Sequence, residues 1–423
     1  MGVRAGVVVT GTEVLTGRVA DRNGPWLAEQ LRAVGVDVGR IVVVGDRPAD
    51  LAAALRHLLA DHELVLTSGG LGPTADDLTA QVVADVQGRE VRLDPALEGR
   101  IAAAVEALTR RRRWRGDPEA MAAGVRKQAM VPVGAHVLEP VGTAPGLVVP
   151  PADGRAGPPV VVLPGPPSEL RAMWPAALAA PDVRAVLART TPLLEDTIRL
   201  WGAMEADLAA SLRRIEADVR GLEIGTCLRD GELEIVTRYA PSVAAELAVL
   251  RATVLADFAP AVVSADGGTV DDVVGAALAA RGWTVATGES CTGGLLAGRL
   301  TARPGSSSSV LGAVVAYADA AKTALLGVPP ETLAAHGAVS PQVALAMAEG
   351  ARTALGADVG VGVTGIAGPG GGTPDKPVGT VHLAVVSPTG TRARHLVLPG
   401  GRDQVRGRTV VTALHELRLL LLG

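Results

Sequence analysis

The chain is 423 residues long, more than a single hydrophobic core spans, so two or three domains are expected. Hydrophobic residues make up 48% and charged residues 20%, with no apolar run near the ~20 residues of a membrane-spanning helix, which excludes a helical membrane protein. A net charge of −4 and an aromatic content of 2% exclude a global basic field and argue against nucleic-acid binding through base-stacking platforms.

The N-terminus, MGVRAGVVVTG, reads as a first strand and not as a signal peptide. Apolar runs at 3–11, 37–46 and 63–70 alternate with helical patterns at 23–35, 48–61 and 77–88. This βαβαβα order predicts a parallel sheet with right-handed crossovers, covered on both faces. Short strands at 146–150 and 159–165 follow, and the first domain is expected to close near 175. Residues 176–262 read as a small α+β unit, with a helix over 206–215, strands at 222–227 and 232–239, and an Asp-Gly-Glu turn signal at 230–232. The stretch VVSADGGTV (262–270) is expected to be a linker. A second α/β domain then runs over 263–423, with a helix at 270–282, strands at 283–287, 308–317, 357–365 and 379–387, and a helix at 340–356. The fragment TRRRRWRG (109–116) reads as a solvated helix end with a tryptophan anchor, because the chain as a whole is acidic. Two cysteines, Cys227 and Cys291, have neither metal-site spacing nor a disulfide framework, which suits a reducing cytoplasm.

Two stretches carry chemistry. The first, TSGGLGPTADDLT (67–79), lies between a strand and a helix. Gly69 and Gly70 let backbone approach a ligand, and the amides of a helix start suit phosphate. The carboxylates of Asp76 and Asp77 suit a hydroxyl or a hard divalent cation; equally, the stretch is a turn with Asp77 as helix cap.

The second is TGESCTGG (287–294), where Ser290, Cys291 and Thr292 occupy a strand-to-helix turn whose helix-start amides could stabilise an oxyanion. The histidines His336, His382, His395 and His415 lie in no catalytic context. Tyr317 and Lys322 in AYADAAK offer a base instead, although a lone lysine is more often a surface residue. Cys291 is the rival nucleophile or, alternatively, a small buried hydrophobe. The loop GIAGPGGGTPDKPVG (365–379) can wrap a phosphate with its amides, aided by Lys376 and an arginine near 406, or can simply join two strands.

Motifs in both halves resemble the CinA family. GTEVLTGRVADRN (11–23), VVVGDR (42–47), GGLGPTADDLT (69–79), KQAMVP (127–132), GTAPG (142–146) and LPGPPSEL (163–170) look like its N-terminal domain, which is related to the molybdopterin-binding fold. The resemblance implies a three-layer α/β domain over 1–175 and metal-dependent ADP-ribose pyrophosphatase activity. Its site residues would be Glu13, Asp46, Gly69, Gly70, Thr74, Asp76 and Asp77, with Glu13, Asp46 and Asp77 toward a divalent metal ion. Thr12 stands where wider relatives carry a second acid.

ESCTGG (289–294), PGSSSSV (304–310), AYADAAK (316–322), HGAVSPQVALAMAEGAR (336–352) and VTGIAGPGGGTPDKPVGTV (363–381) resemble the family's C-terminal domain, a nicotinamide-nucleotide amidase. That implies hydrolysis of nicotinamide mononucleotide (NMN) to nicotinate mononucleotide and ammonia without a cofactor. By motif position Ser290 is the nucleophile, Lys322 the base and Tyr317 its assistant. Gly293, Gly294, Thr364, Gly365 and Arg406, with Arg402 as the alternative, would bind substrate. The resemblance also implies a homodimer and a middle domain with KH-like character, although no basic G-x-x-G loop is present. The alternative is a non-catalytic nucleotide- or pterin-binding regulator linked to competence or DNA damage.

Two departures stand out. Gly288 replaces the family's usual alanine. Asp319 replaces an asparagine, and a carboxylate beside Lys322 favours the ammonium form.

Overall fold

The computed structural model describes residues 2–112, 117–229 and 231–423, so Arg113–Gly116 of the arginine-rich fragment and Asp230 of the expected turn lie outside the described residues. The described residues are α/β throughout and divide into two compact units, residues 1–194 and 195–423.

In the first unit the strands are β1 (Arg4–Thr10), β2 (Asp37–Val44), β3 (Leu64–Ser68), β4 (Val91–Leu93), β5 (Met130–Pro132), β6 (His136–Leu138), β7 (Gly146–Val149) and β8 (Val160–Leu163). The main sheet has the order β2-β1-β3-β8-β7-β6, parallel from β2 to β8 and antiparallel beyond. The helices are α1 (Thr12–Leu15), α2 (Asn23–Ala33), α3 (Pro48–Leu59), α4 (Thr79–Gln87), α5 (Pro95–Arg112), α6 (Pro118–Gln128), α7 (Pro167–Ala179) and α8 (Pro181–Leu187). They form two cores, one on each side of the sheet. Val7 and Leu66 pack with Leu27 and Trp174, while Val8 and Val65 pack with Leu55 and Val83. Alternate residues of uniformly apolar strands therefore feed opposite layers, as a doubly covered sheet requires.

The expected boundary at 175 falls inside α7. Met173, Trp174 and Ala177 of that helix, with Val183 and Val186 of α8, are buried in the first core, so the unit continues to 194.

The second unit opens with β9 (Leu194–Trp201), α9 (Glu205–Arg214), β10 (Glu223–Arg229), β11 (Glu232–Tyr239), α10 (Ala244–Asp257) and β12 (Val262–Ser264), in a four-stranded sheet of order β10-β11-β9-β12. It continues through α11 (Val270–Arg281), β13 (Val285–Glu289), α12 (Leu295–Thr301), β14 (Val310–Val315), α13 (Asp319–Leu326), α14 (Pro330–His336), α15 (Pro341–Leu355), β15 (Val359–Gly365), β16 (Thr380–Ser387), β17 (Gly390–Val397) and α16 (Arg402–Leu422). These strands make a second sheet, β14-β13-β15-β16-β17, parallel across the first three.

The expected linker at 262–270 is ordered. Val262 pairs with Leu200, Ser264 Oγ donates to Gly268 O at 2.6 Å, and Thr269 with Asp272 forms a capping box on α11. The α+β stretch and the C-terminal α/β domain therefore share one compact unit. No described helix is long and apolar enough to cross a membrane.

Candidate functional site

The C-terminal candidates meet at one edge of the second sheet. Glu289, the last residue of β13, pairs with Val315 of β14 on one side and Val363 of β15 on the other. Ser290, Ala316 and Thr364 therefore emerge together at the carboxyl ends of three adjacent parallel strands, where open α/β sheets bind ligands. Ser290 N donates to Val363 O at 2.9 Å and Ala316 N to Glu289 O at 2.8 Å, which locks the three ends together.

The turn after Ser290 needs its glycines. Gly293 and Gly294 adopt φ of 60° and 94°, left-handed values that other residues take only with strain. Gly294 N, Leu296 N and Ala297 N donate to the carboxylate of Glu289, at 2.9, 3.2 and 2.8 Å. Glu289 is fully buried, and the start of a helix is where a carboxylate is best accommodated. These amides were the expected oxyanion donors; Glu289 already occupies them. The amides of Cys291 and Thr292 make no backbone–backbone hydrogen bond among the described residues; both are directed at the Cys291 thiol.

Cys291 is 4% exposed, and burial pushes its thiol up to about 11. A thiol protonated at neutral pH is a poor nucleophile. Alkylation of Cys291 by iodoacetamide in the native protein is accordingly expected to be very slow at pH 7–8 and to accelerate as pH approaches the value at which the thiolate forms. Mass spectrometry of the 291 peptide reads this directly, with exposed Cys227 as the internal control.

Lys322 is not the surface lysine that a lone residue suggests: on α13 it is 2% exposed. Its Nζ donates to Tyr317 O at 3.1 Å and to Asp319 Oδ1 at 3.2 Å. Asp319 thus faces the lysine and forms an ion pair with it. Ser290 Oγ makes no hydrogen bond among the described residues, so serine and lysine share the strand edge without being bonded to each other.

Tyr317 is exposed, and its hydroxyl accepts from Arg402 at 3.1 Å; the same guanidinium donates to Gly368 O at 2.9 Å. Arg406 donates instead to Cys291 O at 3.1 Å and Thr292 O at 3.0 Å. Both arginines reach the site, with different work: Arg406 grips the turn, and Arg402 faces outward beside Tyr317. Thr364 donates to Ala338 O at 2.7 Å, next to Gly365.

Lys376, expected to assist a phosphate, spends its ammonium on His336 O and Val339 O at 3.0 and 2.8 Å. Gly288 has a packing reason: a Cβ there would lie 2.8 Å from Met347 O. Among the histidines, His382 stacks on His395 at 4.5 Å, and burial, then the charges of His395 and Lys376, pull it down to about 4.

In the first unit, Glu13, Asp46, Gly69, Gly70, Asp76 and Asp77 all line one cavity of about 710 Å³ at the carboxyl ends of β1, β2 and β3. Thr12 makes up for the absent acid by holding Asp46: its N and Oγ1 donate to Asp46 Oδ2 at 2.9 and 2.7 Å. Thr74 does the same for Asp76 and Asp77, and its hydroxyl is the main reason Asp76 is held below the usual carboxylate range. Lys127 ties down the Thr74 carbonyl.

Sequence reading missed lining residues inside its own motifs, Asn23 and Glu169 among them. Asn23 bridges Ser68 Oγ at 2.8 Å and Gly165 O at 2.7 Å, and Glu169, raised by burial, faces the cavity from α7. Only the fold brings residues 23, 68 and 165 together.

No three His, Cys, Asp or Glu side chains converge as a closed metal cage among the described residues. The donor set still fits a hydrated divalent cation, which needs only one or two carboxylates plus ligand phosphates. With Glu13, Asp21, Asp46, Asp76, Asp77 and Glu169 against Arg22, the lining is strongly negative.

Comparison with known proteins accords with both halves. Residues 268–421 match the family described as the CinA C-terminal domain, and residues 6–185 match the probable molybdopterin binding domain. A CinA-like protein of Mycolicibacterium gilvum is 54% identical over 429 residues, covering 100% of both chains. One from Mycobacterium tuberculosis is 51% identical over 431 residues, covering 100% of this chain and 98% of the relative. Among solved structures, a competence/damage inducible protein from Agrobacterium tumefaciens is 44% identical, covers 37% of this chain and 97% of its own, and has a TM-score of 0.35. A CinA protein from Thermoplasma acidophilum is 32% identical, covers 41% and 95%, and has a TM-score of 0.34.

Proposed function

Because this chain belongs to the CinA family, we propose that its C-terminal domain is a nicotinamide-nucleotide amidase that converts NMN and water to nicotinate mononucleotide and ammonia. The observation that carries the reading is the emergence of Ser290, Ala316 and Thr364 from three adjacent strands, together with the buried Lys322, which donates to the carbonyl of Tyr317, the residue after Ala316.

Ser290 Oγ attacks the carboxamide carbon while its proton passes to Lys322 Nζ, and the carboxamide oxygen takes up the negative charge. To act, Lys322 must first be neutral: its ammonium gives one proton to solvent and releases Asp319, leaving a lone pair for the serine proton. Collapse breaks the C–N bond, Lys322 returns the proton to the leaving amine, and ammonia departs. Water then attacks the acyl-serine carbon and releases the nicotinate product. Arg402, beside Tyr317 and exposed, is placed for the substrate phosphate.

For the N-terminal domain we propose cleavage of ADP-ribose at its pyrophosphate. A divalent cation held by Asp77 and Asp46 would neutralise the phosphates and polarise them toward attack. Thr12 and Thr74 orient the two carboxylates, and Gly69 and Gly70 leave room for the diphosphate.

The purified full-length protein is expected to release ammonia from NMN in the presence of EDTA. Its cleavage of ADP-ribose is expected to require added divalent cation and to fall roughly a hundredfold in Asp77→Asn. Absence of ammonia release overturns the amidase reading. The match to a molybdopterin-binding domain favours a second reading, in which the N-terminal cavity only binds a nucleotide or pterin. Calorimetric binding of ADP-ribose without turnover, metal present, would select it.

A further inference from the structure

Helix α16 runs from the serine turn to the four-stranded sheet. At its N-terminal end Arg402 and Arg406 enter the site at Tyr317 and at the Ser290 turn. Residue 415 lies nine positions further along, about 14 Å on at 1.5 Å per residue. There the helix meets the four-stranded sheet through a set of buried polar contacts.

His415 is fully buried and stacks on Trp201 of β9, with centroids 3.8 Å apart and planes 12° from parallel. Its Nε2 lies 2.9 Å from Oε1 of Glu232, at the start of β11, in contact but without hydrogen-bond alignment. Arg418 donates to Val262 O of β12 at 2.9 Å. Glu416, 1% exposed, receives Arg392 and Arg394 of β17, each at 2.8 Å. Glu232 in turn lies 3.7 Å from Arg199.

Burying this many charged groups is costly, and an apolar contact would hold the helix at least as firmly. The ring stack on Trp201, the Arg418 hydrogen bond to Val262 O and the ion pairs of Glu416 are directional, and with the charge contact of Glu232 they fix where the helix stands along its axis and how it is rotated. A turn of the helix by one residue position, about 100°, would swing Arg402 off Tyr317.

We propose that Trp201 and Glu232 are positioning residues for the amidase: by gripping His415 they set the register of α16 and so hold Arg402 where the substrate binds. The α+β stretch is then a working part of the C-terminal enzyme. This rests on the amidase reading above.

The test uses full-length Glu232→Ala and Trp201→Leu, each alone and combined with Arg402→Ala. In the parent, Glu232→Ala is expected to raise KM for NMN about tenfold; in the Arg402→Ala background the further change is less than about twofold, because the two act in series. A purely structural role would lower the melting temperature equally in both backgrounds and raise KM by the same factor in each. Equal factors, or no change in KM, overturn the proposal. Should Glu232→Ala fail to fold, Trp201→Leu at a half-buried position takes its place. Hydrogen exchange of the 290–297 turn without substrate gives a second readout: faster exchange in Glu232→Ala is expected, and unchanged exchange counts against the grip even if the parent hydrolyses no NMN.

Discussion

Ser290→Ala is expected to abolish ammonia release from NMN, lowering kcat by at least about a thousandfold, while Cys291→Ala retains most of it. Proximity does not separate the two, since they are neighbours on one turn. Exposure does not either, at 8% for Ser290 and 4% for Cys291. The state of the thiol does: the Cys291 side chain packs into the apolar core with Val363 and Val405, its thiol is raised to about 11, and Arg406 grips its carbonyl. Ser290 needs no thiolate and reacts as a hydroxyl helped by a base. The reverse pattern, a dead Cys291→Ala with an active Ser290→Ala, would require a thiolate that this environment disfavours, and would sink the assignment. Steady-state ammonia assays on the two variants decide it.

The second large effect is at the base, where two substitutions should move activity in opposite directions. Lys322→Ala is expected to lower kcat/KM by about 10²- to 10⁴-fold, the usual worth of a positioned base. Asp319→Asn is expected to raise it several-fold near neutral pH. The carboxylate 3.2 Å from Nζ pairs with the ammonium, whereas an amide there leaves the hydrogen-bonding shape and removes the charge that competes for the lysine. Since Asp319 is exposed, its replacement leaves packing alone. Assaying both variants over pH 6–9 reads the effects; a drop in Asp319→Asn would mean that the carboxylate assists the reaction, and the serine–lysine scheme would need another base.

Much of the first sheet was legible because its signal is local. Apolar runs between helical patterns, with a glycine after each, specify β1 to β3 and their helices without reference to anything distant. The boundary near 175 failed for the complementary reason: nothing within α7 or α8 says that Trp174 and Val183 reach back to Leu27 and Leu31. The Gly-rich motifs nominated two candidate sites, yet they could not say which amides were already engaged. Glu289 sits inside ESCTGG with no role legible in the sequence, and it is the buried carboxylate that takes up the amides at the start of α12. Lys376 likewise read as a phosphate ligand until its three-dimensional neighbours proved to be carbonyls.

By itself, the sequence determined the α/β class, since periodicity and composition act over a few residues, and its motifs nominated two candidate sites. The tertiary structure alone decided which of their side chains are spent. Strand adjacency put Ser290, Ala316 and Thr364 side by side, burial silenced Cys291, and α16 carried arginines from the far end of the chain to the serine turn. Such outcomes depend on desolvation and on contacts between distant segments, and neither is written in any local stretch of residues.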